Sequence, residues 1–248
     1  MDPRIRQRRV DVRRQEGRRR LKALIVLLAV TVLAGAGWAA ARSPLLDVDH
    51  IEVEGAVRTP LEEVAAATGL RLGAAMVDVD ERAVAAGVES LPWVRTAVVH
   101  REWPGTLVIR VDERDARAAV PRDGDRWALI DGNGRVLADV EVQPEGLVRI
   151  EGLEALPAPG GTVPDAASAL AVAAALTPEM AGRTEAVAVV EGGHVELKLN
   201  PRGTVRLGPA QDLGAKLRST ETVLSSVGTE DLAVLDVRLP SSPVLTRG

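Results

Sequence analysis

The sequence predicts an α+β protein with one transmembrane helix, a small β-α-α-β-β domain and a larger domain built from a mixed sheet with flanking helices. Three observations predict this. A single uncharged apolar run lies near the N-terminus, at residues 23–41. Two short helical patterns then lie between alternating segments over residues 48–113. Further alternating segments, separated by glycine-rich turns and two helical stretches, fill the rest of the chain.

The composition limits the kinds of site that the chain can build. It has 248 residues, of which 46% are hydrophobic, enough for one to three domains with true cores. There is no cysteine, which excludes disulfides, thiolate catalysis and cysteine-based zinc sites. There is also no Phe or Tyr, so core filling falls to Val, Leu, Ala, Ile and four Trp residues.

Residues 23–41 predict a transmembrane helix. At a rise of about 1.5 Å per residue the run spans roughly 28 Å, close to the thickness of the hydrocarbon core. Residues 1–22 carry ten basic and three acidic side chains, whereas the whole chain has a net charge of −4. By the positive-inside rule we expect this basic tail in the cytoplasm and the rest of the chain outside it. Trp38 suits the membrane interface.

A cleaved signal peptide is the alternative for this segment. Small residues around 37–41 offer a cleavage site. The long basic stretch and the length of the apolar run favour an uncleaved anchor. Arginine clusters beside a membrane span mostly set topology, so we expect no nucleic-acid partner.

The first unit outside the membrane begins with an alternating strand at residues 48–54. A helix is expected next, because Thr59 can serve as the N-cap, Pro60 suits the first helical position and Glu62 can complete a capping box. Gly69 is expected to end that helix.

A second helix is predicted from Asp80 to Ser90, closed by the following proline. Strands are expected at residues 94–99 and 106–113, joined by a turn at Trp103-Pro104-Gly105. The order over this unit is therefore β-α-α-β-β.

The segment from Leu91 to Val120, LPWVRTAVVHREWPGTLVIRVDERDARAAV, resembles the POTRA domain of the FtsQ/DivIB cell-division family. It shares the Leu-Pro-Trp-Val entry, the Arg…Trp-Pro turn, the alternating strand and the Asp-Glu-Arg exit. The resemblance is closest over residues 48–120 and implies a POTRA-like domain at 47–117. Trp93 and Trp103 are expected in core or turn packing.

The resemblance also implies a β domain at residues 118–248. A hairpin around Gly132-Asn133-Gly134 matches the family's W-x-L-I-D-x-x-G start, and an L-D-V-R strand matches its end. The remaining pattern predicts further strands at 147–150, 186–190, 195–199, 204–207 and 232–239, and helices at 165–177 and 213–227.

The C-terminal segment is the candidate binding surface. In the resembled family an open sheet edge there accepts a strand from the FtsB/DivIC–FtsL membrane complex, through backbone hydrogen bonds. The resemblance implies these partner-binding residues: Asp236, Val237, Arg238, Leu239, Val244, Leu245 and Thr246. Pro243 cannot donate a ladder hydrogen bond, so the usable edge begins after it, with Val244 and Thr246 on one side and Leu245 on the other. A frayed terminus is the alternative.

No pattern predicts a catalytic, cofactor or metal site. His50, His100 and His194 fall in separate predicted strands, and no metalloprotease, nucleophile-elbow or phosphate-loop motif occurs. The acidic residues at 78–81 are typical of a helix start.

The resemblance implies a divisome scaffold without enzymatic activity. It would recruit and regulate septal peptidoglycan synthesis through FtsB/DivIC-like and FtsL-like proteins and other divisome components. We expect it in the cytoplasmic membrane at the division septum, with no cofactor and no small-molecule substrate. The alternatives are a POTRA-bearing protein of polypeptide export or outer-membrane assembly, and a membrane-anchored enzyme. The first expects tandem POTRA units or a barrel, and the second expects a convergent polar site.

Overall fold

A computed structural model describes residues 3–123, 125–227 and 232–248, with side chains from residue 20 onward within those ranges. The chain begins with a long helix, α1 (Pro3–Ala41). Its segment Arg20–Ala41, with a mean hydropathy of 2.3, is long and apolar enough to cross a membrane, and it is not buried against the described protein. Most side chains of the basic tail lie outside the described residues.

The small unit contains three strands and two helices in the predicted order. The elements are β1 (His50–Glu54), α2 (Leu61–Ala67), α3 (Glu81–Glu89), β2 (Val94–Glu102) and β3 (Thr106–Glu113). The central strand β3 pairs in parallel with β1 and antiparallel with β2. The helix predicted from Asp80 to Ser90 is confirmed as α3, and Asp80 is its N-cap, because Oδ1 of Asp80 accepts the backbone N–H of Arg82 at 3.0 Å.

The core of this unit lies between the sheet and the two helices. Aliphatic side chains fill it, and the following ones are fully buried: Val48, Val64, Met76, Val88, Val94, Leu107 and Ile109. Burying about ten such side chains is the main favourable term in the stability of a domain of this size.

The start of α2 differs from the prediction. The helix begins at Leu61 without a side-chain cap. The Thr59 hydroxyl instead donates to Oε1 of Glu113 at 2.8 Å, and the backbone N–H groups of residues 57–59 donate to the same carboxylate at 2.8 to 3.1 Å. The predicted capping box of Thr59 and Glu62 is therefore wrong, because a carboxylate at the end of β3 takes the hydroxyl.

The larger unit contains a sheet of nine strands within the described residues. They are β4 (Ala116–Arg122), β5 (Arg126–Asp131), β6 (Val136–Val140), β7 (Val148–Glu151), β8 (Thr184–Val190), β9 (His194–Leu199), β10 (Thr204–Gly208), β11 (Leu232–Asp236) and β12 (Val244–Arg247). Their order in the sheet is β12-β11-β10-β9-β8-β7-β4-β5-β6. Its helices are α4 (Ala167–Ala175), α5 (Pro178–Arg183) and α6 (Leu213–Val227).

The three helices of this unit pack with the strands around one apolar core. The buried members include Ile150, Val187, Leu197, Leu207 and Leu235 from the strands and Leu170, Met180, Leu217 and Leu224 from the helices. Ala119, Leu129 and Leu137 form a separate buried cluster, against which Trp93 of the small unit and Trp127 pack. Trp93 therefore joins the two units by apolar contact, in agreement with its predicted packing role.

Two elements of the larger unit were missed or misjudged. The alanine-rich strand β4 was not predicted, although it lies between β7 and β5, where the small, fully buried Ala118 and Ala119 fit. The helix predicted over 165–177 ends at Ala175. A new helix, α5, starts at Pro178, and the Thr177 hydroxyl accepts the N–H of Met180 at its N-terminus.

Two arginines bridge the small and large units. Nη1 of Arg114, just after β3, lies 2.8 Å from Oδ2 of the buried Asp131. Nη2 of Arg135 donates to the carbonyl oxygens of Ser90 and Leu91, just beyond α3, at 2.9 and 3.3 Å. Because these bonds use charged donors, they resist rotation of one unit against the other.

We expect Glu113→Gln to lower the free energy of unfolding at pH 7 by about 1 to 3 kcal/mol, because the amide replaces one oxygen that accepts the N–H groups of residues 57–59. Urea unfolding followed by tryptophan fluorescence measures this. Asp112→Asn is the matched control, since Asp112 is exposed and, among the described residues, forms an ion pair with Arg95 alone, at 3.3 Å. Equal losses in the two variants would contradict the assignment.

The effect of Glu113→Gln should also depend on pH. Partial burial raises the pKa of Glu113, but the hydrogen bonds from Thr59, Arg58 and Val57 outweigh it and keep the pKa below its usual value of 4.5. A lowered pKa in the folded state stabilises the protein fully above about pH 4.5, and that stabilisation disappears as the pH falls through the folded-state pKa. The difference between wild type and Glu113→Gln should therefore shrink on acidification below that point. A difference that stays constant would contradict this origin.

Candidate partner-binding edge of the large sheet

Strand β12 forms one edge of the nine-stranded sheet. It pairs antiparallel with β11, and the pairs are Asp236 with Val244, Leu235 with Leu245 and Val234 with Thr246. No strand of the described residues lies on its outer side, and no other backbone group in residues 3–123, 125–227 and 232–248 bonds to it. The outward N–H and C=O groups of this short strand are therefore free to pair with another chain.

At two other sheet edges, the protein itself bonds to part of the edge strand. At the opposite edge of the large sheet, Val136 of β6 donates to the Gly161 carbonyl and accepts from the Gly160 N–H, both at 2.8 Å. In the small sheet, Oε1 of Glu89 accepts the N–H of Ala97 on β2 at 3.0 Å. The edge at β12 differs from both, because the described part of the chain forms no such bond with its outer side.

Side chains alternate along β12. Val244 is 61% exposed, and Thr246 and Arg247 are also exposed. Leu245 is half-buried and packs against the core of the large unit. The core therefore anchors the strand through Leu245, and the exposed side chains remain available on its other face.

The strand before the edge is shorter than predicted. It ends at Asp236 and not at Leu239, because Oδ1 of Asp236 accepts the N–H of Arg238 at 3.0 Å and turns the chain out of the sheet. Val237 is fully buried, and its N–H donates to the Arg206 carbonyl at 3.0 Å. Leu239 is 70% exposed in the loop that follows. The seven residues implied by the resemblance thus lie in one hairpin, but the Val237 side chain faces the core and not a partner.

An ion pair lies at the start of this hairpin loop. The Arg238 side chain donates to both carboxylate oxygens of Asp236, at 2.7 to 3.0 Å. This hydrogen bond lowers the pKa of Asp236 more than partial burial raises it, and it raises the pKa of Arg238. Arg247, at the end of β12, makes no ion pair with the described residues, so its charge is available to a partner.

A shallow cleft adjoins the hairpin. Its walls come from α6 and from the loop before β12, and the lining residues are Ala215, Arg218, Ser219, Thr222, Val223, Pro240, Ser241 and Pro243. Sequence reasoning missed this cleft, because it arises only when residues of α6 and of the hairpin loop come together in the fold.

The described residues contain no group of His, Asp and Glu side chains arranged to bind a metal ion. His50, His100 and His194 lie on β1, β2 and β9. Of the acidic residues at 78–81, Asp78 pairs with Arg42 at 2.8 Å, and the others cap α3 or face Arg101. The chemistry that this region offers is the formation of backbone hydrogen bonds at a sheet edge.

Comparison with known proteins places two families of domain on the chain. A model described as "POTRA domain, FtsQ-type" matches residues 46–114. A second, described as "Cell division protein FtsQ/DivIB, C-terminal", matches residues 118–238. The second match ends before β12.

Curated relatives match over most of the chain. "Cell division protein FtsQ" of Corynebacterium glutamicum is 30% identical over 215 residues, covering 83% of this chain and 91% of the relative. The protein of the same description from Streptomyces collinus is 29% identical over 240 residues, covering 93% and 90%. That from Allochromatium vinosum is 33% identical over 217 residues, covering 83% and 75%.

The two faces of β12 should respond differently to substitution. Leu245→Ser is expected to lower the free energy of unfolding by about 1 to 2 kcal/mol, because it removes an apolar side chain from the core. Val244→Ser should change it by less than about 0.5 kcal/mol, because that side chain is already exposed. Urea unfolding of the two variants checks this, and a larger loss for Val244→Ser would show that the faces are reversed.

Proposed function

Because the chain belongs to the FtsQ/DivIB family of cell division proteins, we propose that it is a divisome scaffold that acts by binding other membrane proteins. It recruits and regulates septal peptidoglycan synthesis through contacts with FtsB/DivIC-like and FtsL-like proteins and with other divisome components. The observation that carries the proposal is the uncovered outer side of β12.

Physical chemistry supports strand addition at this edge. An added strand bonds to the free backbone groups of β12 and so tolerates variation in sequence, while side chains set the specificity. The exposed Val244 and Thr246 provide contacts for partner side chains, and Arg247 favours an acidic group nearby. Asp236, Arg238 and Leu239 belong to the proposed surface as its flank, whereas Val237 and Leu245 hold the hairpin on the core.

One N-terminal apolar helix and the family together indicate a bitopic membrane protein of cell division. We propose that residues 1–22 are the cytoplasmic tail and residues 23–41 the transmembrane helix. The POTRA-like domain at 47–117 and the β domain at 118–248 then lie outside the cytoplasm, at the septum.

The proposed role requires no catalysis. FtsQ/DivIB proteins are a cell-division family and are not known as enzymes, which supports a scaffold without cofactor, nucleic-acid or small-molecule partner. The succession of an FtsQ-type POTRA domain and an FtsQ/DivIB C-terminal domain favours this function over polypeptide export or outer-membrane assembly.

A charge placed on the edge should weaken partner binding. We expect Val244→Asp to raise the dissociation constant for the co-purified FtsB/DivIC-like and FtsL-like complex at least about tenfold, equivalent to ~1.4 kcal/mol. The matched control is Val142→Asp, because Val142 is 76% exposed and follows β6 at the opposite edge. Titration of the detergent-solubilised full chain measures both. Equal affinities for the two variants would contradict binding at β12.

A truncated chain that ends before Pro243 tests the same edge without introducing a charge. Its dissociation constant should rise at least as much as that of Val244→Asp, because all backbone groups of β12 are removed. Retention of binding would place the partner elsewhere.

The topology has its own test. A reporter that is active only outside the cytoplasm should be active when fused after Gly248 and inactive when fused before Met1. The reverse pattern would contradict the proposed orientation.

A further inference from the structure

Three segments of the POTRA unit meet at the end that follows α1. They are residues 42–49, 69–78 and 103–105, and we call this region the membrane-proximal end. The Gly73 N–H donates to the Val48 carbonyl at 2.9 Å, which joins the first two segments. The Asp49 N–H donates to the Gly105 carbonyl at 2.8 Å, which joins the first and third.

Each of these segments exposes a large apolar side chain. Leu45 is 80% exposed, Leu72 is 67% exposed and Trp103 is 51% exposed. Val77, on the second segment, is 40% exposed. Single exposed apolar residues are common on protein surfaces, but four on adjoining segments at one end form a patch.

The chain itself brings this end to the membrane. The apolar helix ends at Ala41, and the next residues, Pro44–Leu46, form a short 3-10 turn. The Arg42 guanidinium stacks over the Trp38 ring at 4.8 Å and lies 2.8 Å from Oδ1 of Asp78. The contact between Arg42 and Asp78 therefore holds the second segment within one side-chain length of the end of the apolar helix.

The dimensions of a bilayer leave these residues in its surface layer. The polar headgroup region adds roughly 5 to 7 Å on each side of the hydrocarbon core. A turn that starts three residues beyond the span lies at that depth. Trp38 and Trp103 suit such a layer, because indole combines a large apolar ring with one polar N–H.

We propose that Leu45, Leu72, Val77 and Trp103 seat the POTRA unit in the headgroup layer of the membrane that α1 spans. The proposal rests on the bitopic anchoring described above, and it names the lipid surface as a further binding partner. The opposite end of the unit, where Glu113 contacts residues 57–59, then points away from the membrane.

The contact is apolar and not electrostatic. Asp47 and Asp49 are the acidic residues of the first segment, and Asp78 on the second is already paired with Arg42. Arg71 beside Leu72 is exposed and makes no ion pair with the described residues. The three segments hold three carboxylates and two arginines. Anionic lipid therefore gains little attraction here, and binding should not depend on it.

Single-cysteine labelling tests the seating, because the natural chain has no cysteine. The full chain carrying Leu72→Cys is labelled with an environment-sensitive fluorophore and reconstituted into phosphatidylcholine vesicles that contain a lipid with a headgroup-level quencher. We expect several-fold stronger quenching, and a bluer emission, than for the label at Val57→Cys. Val57 is the matched control, since it is 87% exposed at the opposite end of the same unit. A label at Val98→Cys, on the exposed face midway along β2, should behave like the control.

A second variant tests whether the apolar side chains cause the seating. Adding Leu45→Ser and Trp103→Ser to the Leu72→Cys chain should at least halve the quenching, while the unfolding midpoint stays within a few degrees, because the replaced side chains are exposed. Quenching at residue 72 no stronger than at residue 57 would overturn the proposal. Quenching that appears only when phosphatidylglycerol is added would also overturn it.

These outcomes are independent of the scaffold function. The lipid-borne quencher reports contact in vesicles without any partner protein and in either orientation of the chain. Loss of partner binding with retained quenching would therefore refute the scaffold alone. Partner binding without quenching would refute the lipid contact alone.

Discussion

Among the described residues, no backbone group bonds to the outer side of β12, and the proposed function depends on these unmade hydrogen bonds. An uncovered edge strand presents unpaired backbone groups that can bond to a strand of another chain. Proteins usually limit such pairing by keeping edge strands short, by placing charged side chains on them or by covering them. Here the strand has only four residues, Val244–Arg247, and ends in a cation. Its length and charge limit unspecific pairing, while its free backbone still allows one complementary strand to bind. At the opposite edge of the same sheet, by contrast, Gly160 and Gly161 bond to Val136 at the start of β6.

An edge can select a partner only if the structure behind it is rigid. The core between the sheet and its helices holds β12 through Leu245 and holds β11 through Leu235. The bridge from Arg114 to Asp131, together with the bonds from Arg135, then fixes the large unit on the POTRA unit. The position of the edge is thereby coupled, through the small unit, to the membrane span. The partner proposed above, itself anchored in the membrane, would meet this strand at a defined place.

The sequence predicted those helices, strands and turns that are determined by residues close together in the chain. Asp80 caps α3, the glycines at 132–134 form the turn between β5 and β6, and α6 follows its apolar periodicity. The prediction was wrong where a residue distant in sequence takes a hydrogen-bonding group that was assigned to a neighbour. Glu113 takes the hydroxyl of Thr59 from a position 54 residues away along the chain, and no local pattern shows that. Strand β4 was missed because its alanines suit a strand only in the crowded centre of this sheet.

The sequence predicted where the strand at the candidate edge begins, but not where the preceding strand ends or which side chains of the hairpin are buried. Alternation and the proline at 243 indicated where the strand would start, since both act within a few residues. The side chain of Asp236 ends the preceding strand by bonding to Arg238, and burial of Val237 depends on a contact with β10. Both arise from the fold around the hairpin, and the cleft beside α6 does so as well. The identity of the partner was predicted from the family resemblance alone, because an open sheet edge can pair with many different strands.

Amide hydrogen exchange of the full chain, with and without the FtsB/DivIC-like and FtsL-like complex, tests strand addition at β12. Exchange should slow in Val244–Arg247 when the complex binds, because the outward amides of β12 gain acceptors. Exchange in Val136–Val140, at the opposite edge of the sheet, should not change. Protection elsewhere in the large unit, with β12 exchanging as fast as in the free chain, would contradict strand addition at this edge.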